Sequence, residues 1–163
     1  MDWRGLLKPG RLLLFFAVGS VMFAPLTADL NQTHAFNPEW PPHARFHTLV
    51  MVFMSVGLTF TGWWLIWKRS PDHITCIKVA ALIPLFAWVP FFPAALIPGA
   101  ALEDHPGSLP RVLGMPLNLF VAGLTILVTV LGYWWYWRQE GKFLREGEAL
   151  FVRESLGAGS ARR

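Results

Sequence analysis

The apolar residues of this chain gather into four long runs, separated by short stretches rich in charge, proline and glycine. The runs extend from about Leu12 to Leu30, Ala44 to Trp67, Ile77 to Ile97 and Val112 to Trp137. A helix needs about 20 mostly apolar residues to cross the hydrocarbon core of a bilayer. Each run meets that need, and no fifth stretch does. The pattern predicts an all-α protein, an integral membrane four-helix bundle. It predicts a single domain over 1–156, with an amphipathic tail over 138–156 and a disordered end over 157–163.

Charge orients the bundle. All but two of the 14 Lys and Arg residues lie before the first run, between the second and third, or after the fourth. The exceptions are Arg45 and Arg111. Basic residues mark the cytoplasmic side of short membrane loops. Both chain ends are therefore expected in the cytoplasm, and the first and third loops outside, in a multi-pass protein of the plasma or inner membrane. The first run follows basic residues as a signal peptide would, but Leu26-Thr27-Ala28 is a poor cleavage site. Trp63, Trp64 and Trp67 close the second run. Tyr133, Trp134, Trp135, Tyr136 and Trp137 close the fourth. Such rings read as an interfacial belt at the headgroup level.

Composition agrees with membrane residence. Charged residues make up 15% of the 163 and the mean hydropathy is +0.42, whereas soluble domains carry about 25% charge. The net charge of +4 does not point to nucleic acid, because the basic residues flank apolar runs and form no patch. Cys76 is the one cysteine, so no intrachain disulfide can form. The partner implied at this level is the lipid bilayer.

Two irregularities stand out. The third run contains Pro84, Pro90 and Pro93, which remove backbone donors and should kink or break a helix. Freed carbonyls in a membrane must be met by neighbours, water or a ligand, so this run either lines a cavity or is simply bent. Small residues (Ser55, Gly57, Thr59, Gly62; Gly123, Thr125, Thr129, Gly132) allow close helix packing.

The candidate chemistry lies in the first loop and the start of the second run, His34 to His47. Pro41 and Pro42 suit the first turn of a helix. His43 and His47 then fall four apart on one face. Glu39 precedes them, Asp29 closes the first run, and the third loop adds Glu103, Asp104 and His105. Four of the five histidines thus fall on the outer side, while His73, in the second loop, reads as solvated. The cluster admits two chemistries. His43 and His47 can share a divalent metal, or they can act as an acid–base pair oriented by Glu39 and Asp104. Trp40, Trp88, Asn118 and Asp29 are the candidate ligand contacts.

The string Asn37-Pro38-Glu39-Trp40-Pro41-Pro42-His43-Ala44-Arg45-Phe46-His47 resembles the signature of a family of small, uncharacterised four-span membrane proteins. The layout, with Asp29 after the first run, is also similar to that of the sterol isomerase and sigma-2 receptor (EXPERA-like) superfamily. That resemblance implies a membrane cavity with acidic and histidine groups that takes sterol-like molecules. The second and third runs here hold no carboxylate to match its catalytic ones. The expected function is to bind or transform a small hydrophobic molecule at the outer His/carboxylate site. The alternative is a non-enzymatic structural or accessory subunit of a membrane complex. A transporter would want more than four spans, which a homodimer would supply.

Overall fold

The structure, a computed structural model, describes residues 8–160, with side chains over 8–139. Helix α1 spans Pro9–Ala28, α2 Pro42–Trp67, α3 His73–Trp88, α4 Phe91–Ala94 and α5 Leu117–Ser160. A two-stranded hairpin, β1 (Arg111–Val112) and β2 (Met115–Pro116), precedes α5. Four helical stretches are long and apolar enough to cross a membrane: Pro9–Ala28, Pro42–Trp67, His73–Ala94 and Leu117–Gln139. We call the end carrying the loops 29–41 and 95–116 the distal end, and the opposite end the basic end.

Local signals start the helices. Pro9 and Pro42 occupy first-turn positions in α1 and α2, where a missing N–H costs nothing. Asp72 caps α3, its carboxylate accepting the Thr75 N–H at 3.1 Å. The Thr75 side-chain hydrogen bond, and after it this backbone one, holds the Asp72 carboxyl below the usual carboxylate range. Pro84 is accommodated inside α3, but the helix ends at Trp88, just before Pro90. Pro90 cannot donate to the Phe86 carbonyl, and its ring crowds that turn. The chain resumes as the single turn α4.

Helices α1 and α3 each pack against the other three long helices, with α2 and α5 flanking them. Leu14, Val18, Ile66, Ile77, Ala80 and Tyr136 form one buried cluster, and Val21, Trp88 and Ala122 a second. The backbones of α1 and α5 approach closely at Gly10. A Cβ on Gly10 would lie 2.6 Å from the Tyr136 nitrogen and 2.8 Å from the Gly132 oxygen. Three polar side chains tie the helices across. Thr59 Oγ1 donates to the Val18 carbonyl (3.2 Å), Trp63 Nε1 to the Phe15 carbonyl (2.9 Å) and Trp88 Nε1 to Ser20 Oγ (2.9 Å). Large apolar side chains, among them Phe16, Phe53, Phe86 and Leu127, face outward from the four helices. That arrangement suits lipid and would be a liability in water.

Three sequence expectations change. The fourth run does not begin as helix at Val112, because residues 111–116 form the hairpin and α5 starts at Leu117. The aromatic residues at the basic end divide into two sets. Trp64 and Trp134 are exposed, with Lys68 Nζ 4.4 Å from the centre of the first ring and the Arg138 guanidinium 4.3 Å from the second. Trp63 instead stacks on Phe15 at 4.7 Å, and Tyr136 is 2% exposed inside the core. His73 is not a solvated side chain: its Nδ1 lies 3.0 Å from the Tyr136 hydroxyl and its ring stacks on the phenol. The backbone of α5 continues as helix through 140–160, where side chains are not described. The amphipathic character of 138–156 rests on side chains that lie largely outside the described ones; of the end expected to be disordered, 157–160 continue the helix and 161–163 lie outside the described residues.

Candidate functional site

The distal end is built by a loop that turns back on the end of α1. Asn31 starts it: its side-chain amide donates to the carbonyls of Thr27 (3.3 Å) and Ala28 (2.8 Å). These are acceptors that the last turn of a helix leaves without partners. Asn31 Oδ1 accepts the Thr33 N–H at 2.9 Å, an Asx turn. The Ala35 N–H closes the loop onto the Asp29 carbonyl at 2.9 Å. A second Asx turn, the Glu39 N–H to Asn37 Oδ1 at 2.9 Å, leads into the Pro41-Pro42 start of α2.

His43 and His47 stand on the first two turns of α2, both exposed. Their Nε2 atoms are 3.0 Å apart and their rings nearly perpendicular, at 83°. The contact needs a hydrogen on one Nε2 and a lone pair on the other. The same separation suits a metal. Two nitrogens about 2.1 Å from one ion sit about 3.0 Å apart at a right angle and about 3.4 Å apart at a tetrahedral angle. Among the described residues, no three His, Cys, Asp or Glu side chains are grouped to hold an ion, so this pair would be half of a coordination shell.

The carboxylates expected to orient the pair do not bond to it. Glu39 is exposed, and its main-chain N–H makes the bond to Asn37. Asp104 is exposed in the third loop. Among the described residues neither is joined to His43 or His47 by a hydrogen bond. The third loop is organised by Glu103 instead. It accepts the Gly107 and Leu109 N–H groups at 3.0 and 3.4 Å and pairs with Arg111 at 3.0 Å. Asn118 bonds the Leu102 carbonyl at 2.7 Å and the Leu119 N–H at 2.8 Å, which fastens this loop to the start of α5. Trp88 is 5% exposed and packs between α1 and α5.

Asp29 and His34 are brought together. Asp29 Oδ1 lies 3.9 Å from His34 Nε2, with side-chain exposures of 26% and 30%. Burial lifts the Asp29 carboxyl above its ordinary range, and His34 opposes that shift. The edge of Trp40 packs on the His34 ring at 5.1 Å. Asn31 and Thr33 support this pair and are absent from the residues singled out in the sequence. The signal that would have found them is the Asn-x-Thr spacing just past a helix end, which favours Asx-turn geometry.

Compared with known proteins, the chain matches DUF6640, a family of unknown function, over residues 15–138. It belongs to that family, and the matched stretch includes the loop and helix start described above. No curated protein and no solved structure matches it.

Proposed function

We propose that this protein is a multi-pass membrane protein with both termini in the cytoplasm, and that it binds a small hydrophobic molecule at its outer, distal end. His43 and His47 exchange a proton with the polar group of that molecule. The cell membrane is the compartment in this reading, and the third helical stretch forms a wall of the binding region. The observation that carries the reading is the 3.0 Å contact between the two exposed Nε2 atoms. It pairs a donor with an acceptor on neighbouring turns, the property an acid–base pair requires. The Lys and Arg asymmetry supports the orientation.

The same spacing favours a second reading, in which the pair holds a divalent metal in cis and the bound molecule or water completes the shell. One experiment separates the two. Detergent-purified protein and the His43→Ala/His47→Ala variant are compared by elemental analysis and by mass spectrometry of co-purified lipophilic molecules. A lipophilic molecule retained by the parent and lost by a folded variant supports the proposal. A near-stoichiometric metal lost in the variant favours the second reading. Equal retention of everything by a folded variant removes both.

A further inference from the structure

The hydrogen bonds around His34 determine which of its nitrogens carries hydrogen. Asn31 cannot be turned over. Its Nδ2 faces two carbonyls, of Thr27 and Ala28, which only accept, and its Oδ1 faces the Thr33 N–H, which only donates. Oδ1 is therefore an acceptor. The Thr33 hydroxyl lies 2.7 Å from that oxygen and also 2.7 Å from His34 Nδ1. A hydroxyl has one hydrogen. Thr33 gives it to Asn31 Oδ1, so the contact with His34 needs Nδ1–H as the donor.

The other nitrogen, Nε2, then carries the lone pair of the neutral ring and faces Asp29 Oδ1 at 3.9 Å. Two acceptors meet there, in a half-buried site packed by Trp40. A proton on Nε2 turns that opposition into attraction. His34 is the one titratable neighbour acting on Asp29 among the described residues, and Asn31, Thr33 and Trp40 carry no charge.

We propose that Asp29 and His34 form a proton-binding site at the distal end. Nε2 is the nitrogen left to exchange hydrogen, because the Asn31–Thr33 chain engages Nδ1–H as a donor. The ligand is a proton delivered by water. Uptake converts Nε2 to Nε2–H beside an Asp29 carboxylate, and release restores the lone pair. This site is independent of the His43/His47 reading. It bears on that pair only through the loop it fastens, which runs from Asp29 through Trp40 to the start of α2.

Two-bond ¹H–¹⁵N correlation spectra of the full chain in micelles, labelled with ¹⁵N-histidine, read the tautomer directly. His34→Gln assigns the resonances. Neutral His34 is expected to carry its hydrogen on Nδ1, and the same in Asp29→Asn. Thr33→Val removes the acceptor and should move the neutral form to Nε2–H. An Nε2–H tautomer in the parent overturns the proposal, as does a Thr33→Val variant that keeps Nδ1–H. If Thr33→Val fails to fold, the parent spectrum alone decides.

Discussion

The indole N–H of Trp88 donates to the hydroxyl of Ser20 at 2.9 Å, across the seam between α3 and α1. Ser20 in turn donates to the Ala17 carbonyl of its own helix at 2.7 Å, so one hydroxyl satisfies both groups. Ser20→Ala leaves the buried indole without an acceptor. The expected loss is about 1 kcal/mol, within the range measured for hydrogen bonds between membrane helices. Ser20→Ala and Trp88→Phe should be non-additive in a double-mutant cycle followed by thermal unfolding in detergent. Full additivity would show that the bond contributes nothing.

Two glycines should respond oppositely to a methyl group. At Gly10 a Cβ meets the backbone of α5 at 2.6 Å, and backbone cannot rotate out of the way. Gly10→Ala should force α1 and α5 apart, costing about 1–3 kcal/mol as overpacking does. At Gly57 the same Cβ meets nothing within 4 Å. Gly57→Ala should leave stability unchanged or raise it by up to about 1 kcal/mol through helix propensity. Paired melting curves check both, and equal responses would contradict the close approach.

The hairpin before α5 turns at Leu113 and Gly114, both at positive φ (51° and 80°). A two-residue turn of this kind favours Asn-Gly, and a leucine there is strained. Leu113 is 86% exposed, so little burial is lost on replacing it. Leu113→Asn should stabilise the protein by about 0.5–1 kcal/mol through relief of the left-handed backbone. A lowered Tm would mean that the leucine side chain makes a stabilising contact that outweighs its backbone strain.

Two carboxylates should titrate with opposite slopes. Asp29 is lifted by burial, so the folded chain binds its proton more tightly than the unfolded chain. Its stabilising contribution is complete below the ordinary carboxylate range and is lost as pH rises through the raised value. Asp72 is depressed, first by the Thr75 hydrogen bonds. Its contribution is complete above the ordinary range and is lost as pH falls through the depressed value. Melting curves between about pH 3 and 7, a window that brackets carboxylate titration, should flatten differently in Asp29→Asn and Asp72→Asn. Identical changes in the two variants would contradict these environments.

Four apolar runs, their approximate limits and the start of α2 at Pro41-Pro42 were readable from the chain alone. Length, hydropathy and proline chemistry are local properties, and backbone hydrogen bonding in lipid leaves a continuous apolar run few options other than a helix. The i, i+4 pairing of His43 and His47 was legible for the same reason, since it depends only on helical pitch. A kink or break in the third run was legible from Pro84, Pro90 and Pro93 together, but not that α3 runs through Pro84 and ends at Trp88.

Other features depended on which side chains of distant segments meet. Trp63 and Trp64 are adjacent in sequence, yet one stacks on Phe15 and the other faces outward. His73 lies in a polar loop, and nothing near it in the chain marks its contact with Tyr136, 63 positions away. Glu39 and Asp104 belong to loops whose courses are set by Asn37 and Glu103, so proximity in composition did not become contact. The sequence by itself determined that this protein has four helices long and apolar enough to cross a membrane, because length and hydropathy need no partner to be recognised. Tertiary structure alone decided which polar groups face one another at the distal end, above all Asp29 and His34. Their meeting depends on the Asn31 turn and a helix end whose joint geometry no single spacing encodes.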